Sequence, residues 1–227
     1  DRWNFIPKCR NDPAFACQLA GMMIGIESRR RTNADPFWGD AEQIALTAIL
    51  LHIAEVYREK AIPAFAADFL LFLSGDSDQA FNEAMTNSPS LYAKQAYMAF
   101  RQAPVQTRGS ILIGLYNKLR PFTLAPARMV TVAPTRDEEI SGCRSINFAD
   151  LRKPGTAIYL IVSEGAADMY KEFIATFIGQ AVMEMRLDGV NEPEHPCFVL
   201  IDEAYQLNVS EVKRISGIGR GRGVGLG

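Results

Sequence analysis

The sequence predicts an α/β protein, a parallel sheet with helices on both faces, incomplete and carrying an inserted all-α domain. Two apolar runs, 156–162 and 198–201, read as strands too apolar to have a solvent face, and they alternate with helical segments. Ahead of them, from Asp35 to about Phe122, successive helical patterns are joined by short polar stretches. The chain therefore divides into 1–34 and 143–227, two parts of one sheet-bearing domain, and 35–142, the helical insertion.

Each element has its own signal. Asn4-Phe5-Ile6-Pro7 reads as the end of an extended segment. Residues 13–26 place Phe15, Leu19, Met22, Met23 and Ile26 at helical spacing, and Arg29-Arg30-Arg31 with Asn33 close that unit as a polar loop. Asp35-Pro36 supplies a capping acid and a first-turn proline, so a helix runs over 36–57. The next starts at Pro63, carries Phe65, Phe69, Leu70 and Leu73, and stops at Gly75. Three more are predicted: over 77–85, after Ser88-Pro89 with Leu91, Ala96 and Met98, and over 104–119, ended by Pro121. Past Cys143 come the strand 156–162 and a long helix over 166–187 with Gly189 beyond its end. The buried strand 198–201, a helix over 210–217 and a strand opening at Val224 complete the order.

Composition narrows the function classes. At 227 residues and 48% hydrophobic, the chain can bury a sizeable core. A net charge of -2 gives no global drive towards nucleic acid and leaves only local patches. No apolar run approaches the roughly 18 residues of a bilayer span; 44–53 is helix-like but short, with Glu42, His52 and Glu55 in or beside it. Asp1-Arg2-Trp3-Asn4 is not a secretory leader. Cys9, Cys17, Cys143 and Cys197 are scattered and read as free thiols, and His52 and His195 form no metal set with them. His52 reads as a packing or helix-surface residue, His195 as a strand-edge residue, and Phe37 and Trp38 as core anchors.

The residues with chemistry to offer lie near the end. Cys197-Phe198-Val199-Leu200-Ile201 runs straight into Asp202-Glu203, an apolar strand ending in two carboxylates. In a P-loop NTPase such a pair works on ATP and Mg2+: Asp202 would hold the metal, directly or through water, and Glu203 would polarise the attacking water. An acidic pair also ends many ordinary strands. The phosphate-cradling Gly-x-x-x-x-Gly-Lys-Ser/Thr is missing from the sequence, so the chain reads as a fragment holding part of such a site, inactive alone. In Gly217-Ile218-Gly219-Arg220-Gly221-Arg222-Gly223, alternate glycines let the backbone approach a ligand closely. Arg220 is favoured over Arg222 as a finger reaching a neighbour's γ-phosphate; a basic loop touching nucleic acid or solvent is the alternative. Arg29, Arg30, Arg31 and Arg222 are the candidates for phosphate-backbone contact without base specificity, against a plain solvated loop. No Ser/His/Asp or Cys/His arrangement emerges.

Taken in order, Asp35-Pro36-Phe37-Trp38 with Ala41-Glu42, Asp150-Leu151-Arg152-Lys153-Pro154-Gly155-Thr156-Ala157-Ile158-Tyr159-Leu160, 198–203 and Gly219-Arg220-Gly221-Arg222-Gly223 resemble type IV secretion coupling proteins, the conjugative DNA-transfer ATPases. The resemblance implies a RecA-like nucleotide-binding domain with an all-α domain between its two phosphate-site motifs. It implies Asp202 on magnesium, Glu203 on water and Arg220 as the finger. Implied partners are a relaxase with its relaxosome DNA or secreted proteins, secretion-channel components, and further copies in a hexameric ring. It also implies a parent anchored in the bacterial cytoplasmic membrane, with this part on the cytoplasmic side. The alternative is a non-catalytic helical module that binds substrate or partner on an α/β scaffold.

Overall fold

Asp12 starts helix α1 (Pro13–Met23) by accepting a hydrogen bond from the Phe15 amide at 2.9 Å, with Pro13 in the first turn where no amide is needed. The computed structural model describes residues 1–26, 36–72, 78–187, 196–201 and 224–226, in two units, Asp1–Ile146 and Asn147–Gly227.

In the first unit, α1 is followed by α2 (Pro36–Tyr57), α3 (Ala64–Phe72), α4 (Asp78–Thr86), α5 (Leu91–Phe100), α6 (Val105–Thr123), α7 (Ala125–Thr131) and α8 (Arg136–Ile140). Helix α2 is the axis. Every residue from Ala45 to Ala54 is buried, as expected of a helix apolar on all sides, and α1, α5 and α6 pack around it. The short apolar run 44–53 is therefore the centre of a bundle. Phe69, Phe81, Tyr97 and Phe100 join α3, α4 and α5, with ring centroids 5.9 Å apart for Phe69–Phe81 and 5.5 Å for Phe81–Tyr97.

Ion pairs clamp the helices from within. The Lys118 ammonium of α6 meets the Glu42 carboxylate of α2, both largely buried. Nη2 of Arg128 in α7 donates to both Asp68 oxygens of α3, at 2.6 and 2.7 Å, a charge-assisted contact. Arg10 reaches Glu55 at 3.0 Å. The opening residues are tied back to the end of the unit: the Arg2 amide donates to Arg144 O at 2.8 Å, and the Ile146 amide to Arg2 O at 2.7 Å. Residues 1–26 thus share a unit with the helices, and the division falls at Ile146/Asn147 rather than at 142/143.

Several local expectations need correction. Residues Ile6–Cys9 form a 3-10 turn, not an extended segment. Pro121 does not end α6: the buried Leu119 and Phe122 hold the last turn, and Arg128 Nε caps the Thr123 carbonyl at 2.9 Å. Phe37 and Trp38 are not core anchors; both are exposed at the start of α2, edge to face at 5.6 Å. Helices α7 and α8 were not expected. Thr135 and Glu138 form a reciprocal capping box at the start of α8, and the Thr135 amide with Arg2 holds the Glu138 carboxyl below its usual range.

The second unit overturns the predicted fold class. No RecA-like parallel sheet with helices on both faces is formed among the described residues. Two three-residue strands, β1 (Cys197–Val199) and β2 (Val224–Leu226), pair in parallel, and no third strand joins them among the described residues. Residues 156–162 take no regular secondary structure, and the long helix is α9 (Lys171–Leu187), shorter at its start than expected. Lys153-Pro154-Gly155-Thr156 makes a turn with Gly155 at φ +74° and the Thr156 amide on Lys153 O at 3.3 Å, the type II pattern that favours Pro then Gly. Among the described residues, α9 is the one α-helix in the lining of the groove between 156–162 and 196–201.

Candidate functional site

The parallel pair sets the frame for the chemistry read in the sequence. Cys197 pairs with Val224, Phe198 with Gly225 and Val199 with Leu226. In this register the end of β1 and the start of β2 lie at opposite ends of the pair. The Cys197 thiol donates to Leu151 O at 3.2 Å, fixing the start of β1 to the 3-10 turn Phe148–Arg152. Phe148 in turn packs edge to face on Phe177 of α9, with centroids 5.0 Å apart, and Arg152 donates to Met185 O at 3.2 Å near the carboxyl end of α9.

Between residues 156–162 and 196–201 lies an open groove of about 730 Å³, with Ile174, Ile178 and Ala181 of α9 in its lining. Exposure alternates along 196–201, the pattern of a half-buried strand, whereas 156–162 is exposed except at Ile158 and Val162. Tyr159 is 85% exposed, Ile161 89%, Phe198 69% and Leu200 78%, whereas Cys197 is buried and Ile158, Val162, Val199 and Ile201 are partly covered. Apart from the Lys171 ammonium, the lining is uncharged.

A second polar cluster sits inside the helical unit. His52 Nδ1 lies 2.9 Å from Ser88 Oγ and its ring 5.1 Å from that of Phe69; burial lowers its pKa from the ordinary 6.5. Ser88 Oγ also accepts from the Ser90 amide at 3.3 Å. His52 is thus a buried packing residue that bridges α2 to the α4–α5 joint. Ser88 was not singled out in the sequence; its place in Asn87-Ser88-Pro89-Ser90 gave only a capping signal. Burial pushes the Cys9 thiol far above its ordinary value, which leaves it a poor nucleophile.

No family model matches the chain, and no curated protein or solved structure matches it significantly.

Asp202, Glu203, Arg220 and Arg222 lie outside the described residues, as do Arg29, Arg30, Arg31, His195 and the expected helix over 210–217. Asp202 follows Ile201, the last described residue after β1, and Arg222 stands two positions ahead of β2. Among the described residues no group of three or more His, Cys, Asp or Glu side chains could hold a metal, and no helix is long and apolar enough to cross a membrane. All four cysteines are unbridged.

Proposed function

We propose that this chain is part of an ATP-driven coupling protein that recruits relaxase-bound DNA or protein substrates and delivers them to a type IV secretion channel. Asp202 is the magnesium ligand in this reading, Glu203 the acid that orients water, and Arg220 the finger given to a neighbouring copy. The supporting observation is the parallel register of β1 and β2. The strand end that leads into Asp202-Glu203 and the strand end that follows Arg220 and Arg222 are opposite ends of one pair. An arginine that serves the next copy's nucleotide, and not its own, suits that topology.

Two measurements test it in the full-length protein. Glu203→Gln is expected to lower ATP turnover roughly 100-fold or more while nucleotide binding persists. Unchanged turnover removes the role given to Glu203. Mixing Glu203→Gln subunits with Arg220→Ala subunits is expected to recover part of the activity, because some interfaces then pair an intact acid with an intact arginine. No recovery places the arginine's action within its own copy.

A second reading, a helical docking module with no catalytic part, draws on α5. Leu91 and Met98 are 64% and 53% exposed and sit seven residues apart, on one face of the helix. Lys94 and Gln95 stand between them, so the face is mixed rather than strongly basic and suits a protein partner better than nucleic acid. A Leu91→Lys/Met98→Lys variant is expected to lose substrate-protein binding with ATP turnover unchanged; retained binding sinks this reading.

A further inference from the structure

We infer that the groove of the second unit takes up a single amphiphile, an unbranched apolar chain ended by a carboxylate. The inference is independent of the ATP reading. One side of the groove is a stripe of α9: Lys171, Ile174, Ile178, Ala181 and Met185 recur every three or four residues and so share one helix face. From Lys171 to Met185 the stripe is about 21 Å long, at 1.5 Å per residue. It is polarised, with an ammonium at the first turn and only apolar side chains after it. Apart from Lys171, no residue of the groove lining is charged. At the far end the Arg152 guanidinium donates to Met185 O at 3.2 Å and is not among the lining residues.

Charge and length together choose the occupant. Lys171 is half-buried and forms no ion pair among the described residues. A partly desolvated ammonium favours an anion, and the first turn of a helix adds partial positive charge beside it. Glu172, the next residue of α9, is not in the lining. The apolar remainder of the stripe disfavours a ligand with polar groups along its length, because they would lose water and gain no partner. An extended chain covers roughly 3.5 Å for every three backbone bonds, so 21 Å holds about eighteen. The groove, about 730 Å³, falls within the roughly 300–1,000 Å³ of small-ligand sites. The carboxylate stands at Lys171, and the chain runs past Ile174, Ile178 and Ala181 towards Met185.

Isothermal titration calorimetry of the full chain with dodecanoate, below its micelle-forming concentration, and with dodecyltrimethylammonium tests the assignment. Dodecanoate is expected to bind one to one, and about tenfold or more tightly than the cation with the same chain. Octanoate is expected to bind about 100-fold or more weakly than dodecanoate, roughly fourfold for each methylene lost. Lys171→Glu is expected to reverse the preference between anion and cation. Lys153→Glu, at an exposed lysine of the same unit outside the lining, should leave it unchanged. No uptake of dodecanoate, equal affinity for anion and cation, or an unaltered preference in Lys171→Glu overturns the inference. So does attachment to phosphatidylglycerol vesicles without one-to-one uptake, which would make a lipid surface the target. If Lys171→Glu fails to fold by circular dichroism, the comparison of anion with cation on the unaltered chain carries the test.

Discussion

In the helical unit α2 is enclosed by α1, α5 and α6, whereas in the second unit β1 has β2 along one edge and an open apolar face. Both segments are apolar. What separates them is how many neighbours the chain supplies. A helix satisfies its own backbone and needs only side-chain cover, so a central position completes it. An extended run needs partners on two edges and two faces, and here it receives fewer. Apolar character therefore predicts burial only where the rest of the fold has surface to offer.

The largest expected effect breaks the enclosed side of this comparison. Glu42→Ala removes the carboxylate that Lys118 meets inside the bundle and should cost about 3–5 kcal/mol in urea unfolding. The paired change Glu42→Leu/Lys118→Met should return most of that loss; if it returns none, the pair does more than satisfy its own charges. Leu50→Ala, at a fully buried site on α2, is expected to cost about 2–5 kcal/mol. Acid should weaken the same unit through His52. The unfolded imidazole binds a proton near pH 6.5 and the folded one resists it, so the unfolded state holds more protons as pH falls. Stability is expected to drop below about pH 6.5, until the folded ring also protonates, and His52→Gln should flatten that slope. Ser90→Ala, which removes the cap accepting from the Ala93 amide at 3.2 Å, should cost about 1 kcal/mol. On the open side, Ile161→Ala in dilute solution should stay within about 0.5 kcal/mol of the unaltered chain. Limited chymotrypsin digestion should cut after Tyr159 before it cuts within α2, and the reverse order would mean that the extended run is better protected than its exposure implies.

Legibility followed the same divide. The bounds of α2 could be read because both ends carry local signals, Pro36 in the first turn and the charged Arg58-Glu59-Lys60 after Tyr57. The start of α8 was not expected, although Thr135-Arg136-Asp137-Glu138 carries a local signal, the spacing of a capping box. The β-rich, apolar composition of 156–162 suggested a buried strand, but no strand forms there, because nothing within the run says which neighbours it gains. Phe37 and Trp38 failed for a related reason: size argues for burial, yet their position at a helix start decides exposure. Of the candidate site, β1 and β2 were legible as strands, while the acids and arginines between them carry chemistry in their types and spacing alone.

The hydrogen bonds that join Arg2 to Arg144 and Ile146 lay these two segments side by side. The helices between them are thus closed into one loop of chain, and a change at either segment is felt at the other.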